Sequence, residues 1–203
     1  MPDITLYFSP FSRSFTARWM LEEISVPYTV KTIELRKNQH KSPDFLQINP
    51  MGKVPALTDG DVTVSENPAI CIYLADRYSL GQLAPQLDDV RRGSYLRWMI
   101  FSTAVFEPAV YLPDDDPAAA SGRGWGRRAD VIGILDQTLS KQPWLLGEQF
   151  SAADVMLGSL LSVALFNHRI ENPPGSLVAY DQRLAGRDAY RRAAEATWPA
   201  PKN

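Results

Sequence analysis

Three short stretches of this chain carry side chains whose types and spacing can do chemistry. In Ser65-Glu-Asn-Pro68 an acid and an amide stand just before a helix that opens with proline. Asn67 is a good N-cap and Pro68 a good first helical residue. The free amides of that first turn, with the helix dipole, form an anion site. Glu66 repels an anion unless the same ligand carries an amine, so a carboxylate and an ammonium on one carbon fit both groups. In Asn49-Pro-Met-Gly-Lys-Val-Pro-Ala-Leu57 a Val54-Pro55 dipeptide heads a short apolar run. Pro55 has no N–H to donate. With a cis bond, expected here from the flanking elements, the Val54 N–H and C=O turn outward and can pair with an extended peptide as an added strand would. In Ser9-Pro-Phe-Ser-Arg-Ser14 hydroxyls stand at the positive end of a helix, where one can donate to a ligand thiolate. Such a charge-assisted bond is worth about 1.5–3 kcal/mol. It lowers a thiol's pKa by roughly one to two, enough to ionise most of it at neutral pH. His40 and Lys53 can serve a second ligand carboxylate. Together these residues describe a pocket for a small zwitterionic peptide. Each also suits a plain structural role: a trans proline at a strand end, helix caps, a solvated acid, an exposed loop histidine.

The elements that must position these residues follow from pattern. Ile4–Phe8 reads as a buried strand, Ser12 to Ile24 as a helix with Pro27 beyond its end, and Tyr28–Ile33 as a second strand. That spacing makes a βαβ unit with parallel strands. A short helix is predicted from Ser42 to Gln47. Val54–Thr58 and Val62–Val64 flank Asp59-Gly60-Asp61, a hairpin signal, and Pro68 to Tyr78 is a third helix. The result is βαβ followed by ββα, a mixed four-stranded sheet over residues 1–80. Residues 81–86 read as a linker, and 87–203 as an all-helical domain. In it a long helix from Val90 to Tyr111 is broken or kinked near Pro108. Further helices are predicted at Arg127–Ser140, Ser151–Phe166, Ser176–Leu184 and Arg187–Ala196. The Ser151–Phe166 helix is apolar nearly all round, so it belongs at the centre of its domain, and Ser151 with Asp154 makes an Asp version of the capping box.

Composition bounds the rest. The 203 residues carry a net charge of −2, which excludes bulk attraction to nucleic acid or an anionic membrane. No apolar run reaches the roughly 20 residues of a membrane span, and the start of the chain lacks the pattern of an export signal. A cytoplasmic location is therefore expected. A single cysteine, Cys71, excludes an intrachain disulfide framework; with only two histidines besides, no metal site is expected. Cys71 falls on the apolar side of the third helix and reads as core.

Asn49-Pro-Met-Gly-Lys-Val-Pro-Ala-Leu57, Ser65-Glu-Asn-Pro-Ala-Ile-Cys-Ile-Tyr-Leu74 and Leu146-Gly-Glu-Gln-Phe-Ser-Ala-Ala-Asp154 resemble, in order, three signatures of the glutathione S-transferase family. The resemblance spans nearly the whole chain. It implies a thioredoxin-like N-terminal domain, an all-helical C-terminal domain and a homodimer. It implies glutathione as co-substrate, lying along Val54 and Pro55 with its γ-glutamyl end at Glu66 and Asn67. His40 matches the position that holds the glycyl carboxylate in theta-like members, with Lys53 as a second candidate. Ser12 matches the theta- and zeta-like catalytic serine; Ser9 is the rival and Ser14 a weaker one. The resemblance further implies attack of the thiolate on a small apolar electrophile, with Phe11, Met99, Phe106 and Tyr111 as candidate walls for it. A glutathione-dependent peroxidase, or a binding protein that kept the fold without the chemistry, is the alternative.

Overall fold

The computed structural model describes residues 3–113 and 122–198. Its sheet has the order β2-β1-β3-β4, formed by Ile4–Phe8 (β1), Thr29–Thr32 (β2), Ala56–Asp59 (β3) and Val62–Ser65 (β4). β1 pairs in parallel with β2 and antiparallel with β3, and β3 pairs antiparallel with β4. Strand residues alternate between faces. Ile4, Leu6 and Phe8 are buried on one side of β1. Tyr7 turns to the other side, where its ring meets Phe45 edge-on at 5.8 Å. Phe45 lies on α2 (Pro43–Ile48), which Ser42 caps by accepting the Phe45 N–H at 3.3 Å. Phe45, Ile33 and Ala56 form a small core against which Tyr7, Leu35, Ile48 and Val54 pack. Helices α1 (Ser14–Ile24) and α3 (Asn67–Tyr78) pack on each other. Asp59, at the end of β3, accepts the hydroxyls of Tyr73 at 2.8 Å and Tyr78 at 2.5 Å, both from α3.

The chain divides into two units, one running through Ser79 and resuming at Arg187, the other Leu80–Gly186. This differs from the expected helical domain of 87–203 at both ends. The last helix, Asp188–Thr197, groups with the sheet unit because it packs along α1. The segment expected as a linker is bonded into the helical unit: the Ala152 N–H reaches the Leu83 carbonyl at 2.8 Å, and Gln149 Nε2 reaches the Gln82 carbonyl at 2.5 Å.

The helical unit holds α4 (Arg92–Phe101), α5 (Glu107–Tyr111), α6 (Arg128–Leu139), α7 (Ala152–Phe166) and α8 (Gly175–Ala185); the helix Asp188–Thr197 is α9. The long helix is interrupted earlier than expected. Residues Ser102–Phe106 form a π-helical turn, and Pro108 sits in the first turn of α5. Proline has no N–H for the carbonyl four residues back and its ring crowds that carbonyl. The widened turn lies just ahead of it, where the helix register shifts.

α7 is buried at every position from Ala152 to Leu161. Its start is the capping box read from the sequence. Asp154 accepts the Ser151 N–H at 2.9 Å, the Ser151 hydroxyl at 3.0 Å, the Leu145 N–H at 2.9 Å and the Tyr180 hydroxyl at 2.9 Å. Complete burial outweighs these donors and raises the Asp154 carboxyl to about 6. Asp154→Ala strips four donors of their acceptor and is expected to cost about 3–5 kcal/mol in urea denaturation. The folded carboxyl titrates above its unfolded value, so the folded form binds the extra proton between pH ~4 and ~6. This group's contribution is full below pH ~4 and is lost as pH rises to ~6. Asp154→Asn should therefore flatten that limb of the stability-against-pH curve relative to the parent.

Candidate functional site

Because β1, β2 and β4 all run the same way and β3 runs against them, one end of the sheet collects four chain segments. They are the loop after β1 with Ser9 to Ser14, the segment after β2 with His40, the approach to β3 with Lys53 to Pro55, and the exit of β4 with Glu66 and Asn67. Residues separated by more than fifty positions thus share one rim.

In the β1–α1 loop the three serines differ in exposure. Ser9 is 5% exposed and Ser14 fully buried, while Ser12 is half-buried. The Ser9 N–H donates to Ser14 Oγ at 3.3 Å. Ser12 Oγ accepts the Ser14 N–H at 3.1 Å and donates to the Ser9 carbonyl at 2.6 Å, with Ser14 Oγ 2.9 Å away. Helix α1 therefore begins at Ser14 rather than Ser12; Arg13 is its flanking residue, and Ser12, one position earlier, takes up the first helical N–H. An accepted N–H polarises the hydroxyl and makes it a better donor when its proton turns outward. Phe11, at φ +54 and 70% exposed, precedes it. Arg13 is exposed, and its carbonyl accepts Asn67 Nδ2 at 3.0 Å.

The approach to β3 is shaped by residues that a search for chemical groups passes over. Asn49 is 2% exposed. Its Nδ2 donates to the Lys53 carbonyl at 2.8 Å and its Oδ1 accepts the Met51 N–H at 3.1 Å. Gly52 takes φ +59, and a Cβ there would lie 2.6 Å from the His40 carbonyl oxygen. The Asn-Pro-Met-Gly run is a turn signal that points to both residues. The Val54–Pro55 bond is cis. Pro55 is buried, Val54 half-buried and Lys53 exposed. Val54 lies outside the sheet ladder, and its N–H and C=O take no hydrogen bond among the described residues.

At the exit of β4, Glu66 is exposed and holds φ +68. A non-glycine residue there costs about 1–3 kcal/mol and persists where its surroundings over-determine it, commonly at functional sites. Glu66, not Asn67, occupies the flanking position of α3, which corrects the expected cap. Asn67 lies inside the first turn, so its side chain points away from its own helix amides and toward Arg13. Asn67 Oδ1 and His40 Nδ1 are buried atoms without a hydrogen-bond partner among the described residues. Native proteins leave few such atoms unsatisfied. Both sit on residues that the sequence singles out.

Two of the expected pocket walls are corrected. Met99 and Phe106 have no exposed surface and belong to the core of the helical unit. Helical periodicity gives the apolar face of α4 but not whether that face meets a cavity or a neighbour. Tyr111 is half-buried, with the Arg169 guanidinium 5.6 Å from its ring centre. Cys71 is fully buried, and burial pushes its thiol up to about 12. Among the described residues no three His, Cys, Asp or Glu side chains gather as a metal site, and no helix is long and apolar enough to cross a membrane.

Residues 2–76 match the family model for the glutathione S-transferase N-terminal domain. Glutathione S-transferase F10 of Arabidopsis thaliana is 30% identical over 75% of this chain and 76% of its own. Human glutathione S-transferase theta-2 is 51% identical over 64% of this chain and 59% of its own. The theta class glutathione S-transferase of Xanthomonas axonopodis pv. citri, solved with glutathione bound, is 32% identical over 95% of this chain and 97% of its own, with a TM-score of 0.75.

Asn49→Ala should leave the Met51 N–H and the Lys53 carbonyl unpaired beneath the loop. A loss of about 2 kcal/mol in urea denaturation is expected, with faster amide exchange over residues 50–54.

Proposed function

The chain belongs to the glutathione S-transferase family, and we propose that it transfers the glutathione thiol to a small apolar electrophile, with Ser12 holding the thiolate. The observation that carries this reading is the convergence at one sheet end of an unpaired main-chain edge at Val54, an acid at the head of α3 and a half-exposed serine at the head of α1. An extended tripeptide satisfies all three. Its main chain pairs with Val54 N–H and C=O beside Pro55, as an added strand does. Its γ-glutamyl ammonium faces Glu66, and the adjoining carboxylate meets the amides of the first turn of α3 at Asn67. Its glycyl carboxylate lies toward His40 and Lys53.

The Ser12 hydroxyl turns its proton from the Ser9 carbonyl to the sulfur while still accepting the Ser14 N–H. The start of α1 adds positive potential. The burial of Ser9 and Ser14 favours Ser12 over its two neighbours. The thiolate then attacks an electrophilic carbon: a sulfur–carbon bond forms and the leaving group departs with its electron pair. Catalysis consists of thiol ionisation and proximity. Exposed Phe11, next to Ser12 in the chain, is the apolar side chain best placed on this unit to meet the second substrate. Family membership supports a homodimer and a cytoplasmic setting.

Ser12→Ala removes one hydrogen bond to a charged sulfur. Turnover of a chloronitrobenzene is expected to fall about 10- to 100-fold, with glutathione binding by calorimetry little changed. The acid limb of the rate profile should move up by roughly one to two in pH. Unchanged turnover would overturn the role of Ser12.

A further inference from the structure

The loop that carries Ser12 is gripped on both sides by residues far away in the chain. On one side the Phe11 N–H donates to the Thr197 carbonyl at 2.9 Å. Thr197 is fully buried at the end of α9, and α9 is fastened to α1. Arg187, just ahead of α9, meets both oxygens of Glu23 at 2.7 Å, and Arg192 meets Glu22 at 2.7 Å. The rings of Tyr190 and Trp198 lie 5.1 and 4.5 Å from that of Phe15. On the other side the Arg13 carbonyl accepts Asn67 Nδ2 at 3.0 Å, and at a longer 3.4 Å the Thr16 N–H. Between the two grips, Ser12 spans a positive-φ residue and the start of a helix.

Asn67 is thus spending a side-chain donor on the loop at the point where the sequence reads it as a cap or a ligand contact. We propose that Asn67 is a positioning residue for Ser12: its amide sets the Arg13 carbonyl, opposite the Phe11–Thr197 bond, and so fixes where the Ser12 hydroxyl points. This rests on the reading of Ser12 as the thiolate partner. A hydroxyl displaced by about 1 Å loses much of its effect on a reacting group, because transition-state stabilisation depends on alignment already built in. Nothing in Asn67 then touches the sulfur; it acts through the loop.

The test compares the parent with Asn67→Ser, which keeps a hydroxyl on α3 too short to reach the Arg13 carbonyl, and Asn67→Asp, nearly isosteric but unable to donate to it when ionised. Amide exchange over residues 11–14 of the ligand-free protein should quicken about threefold or more in both. Turnover of a chloronitrobenzene at saturating glutathione should fall about tenfold in both, and the acid limb of the rate profile should rise as in Ser12→Ala; the KM for glutathione should stay near the parent value in Asn67→Ser, which leaves the main-chain amide in place, and rise in Asn67→Asp, whose added charge faces the ligand carboxylate. The double variant Ser12→Ala/Asn67→Ser should be no slower than Ser12→Ala, because Asn67 has nothing else to act through. Unchanged exchange, or faster exchange with parental turnover, overturns the proposal. So does a raised KM with unchanged turnover in Asn67→Ser, which makes the Asn67 side chain a ligand contact, and so does a double variant whose losses multiply. If Ser12→Ala alone turns over at the parental rate, the reading of Ser12 has failed and the proposal falls with it; that single variant tells the two failures apart.

Discussion

Everything at the candidate site depends on β3 running against both of its neighbours. A strand in the middle of a sheet has two edges to pair, and here both pairings are antiparallel. The start of β3 is thereby placed beside the ends of β1 and β4. The parallel β1–β2 pair, closed by the α1 crossover, then brings the segment after β2 to the same end. A ligand with separated charges needs donors and acceptors facing it from several directions. Loops at one end of a sheet supply them without any single loop having to be long. The price of the arrangement is local: a main-chain edge at Val54 and two side-chain atoms are left with no partner among the described residues.

Rigidity at that rim comes from small, inward-pointing contacts. Asn49 satisfies two main-chain groups of the loop before β3 from below. Gly52 lets the loop pass so close to the His40 carbonyl that no β-carbon fits between them. Serine hydroxyls and amides of the β1–α1 loop satisfy one another in sequence, with one hydroxyl left at the surface. Contacts already made at folding leave less ordering to be done on binding.

Much of this was legible before any coordinates. The β-branched and aromatic run at Ile4–Phe8, the alternation of Tyr28–Ile33, the Asp-Gly-Asp turn and the strand–helix–strand spacing specify the sheet because those signals are local. Ser151 and Asp154 were readable for the same reason: three residues apart and just ahead of an apolar run, they follow the local pattern of a helix start. What escaped is what depends on long separations. Asn67 follows the pattern of a cap, yet its amide is drawn to Arg13, 54 positions away. α9 is a short amphipathic helix whose pattern shows a face but not its partner, and that partner is α1. Met99 and Phe106 show the same limit, since a buried apolar face looks alike whether it meets solvent-filled space or another helix. Pro108 announced a disturbance in the long helix but not that a widened turn upstream would absorb it.

Cys71 gives the design a further property. Proteins that work on alkylating compounds are themselves targets of alkylation, and a cysteine thiolate is the side chain such compounds attack most readily. Here the sole cysteine of the chain is sealed inside α3, and its thiol is held up to about 12, so it stays protonated and out of reach. The reactive sulfur in the proposed reaction arrives with the tripeptide and leaves with the product. The scaffold keeps no thiol of its own on display, so in the proposed reaction the only thiol open to the second substrate is the one the ligand brings.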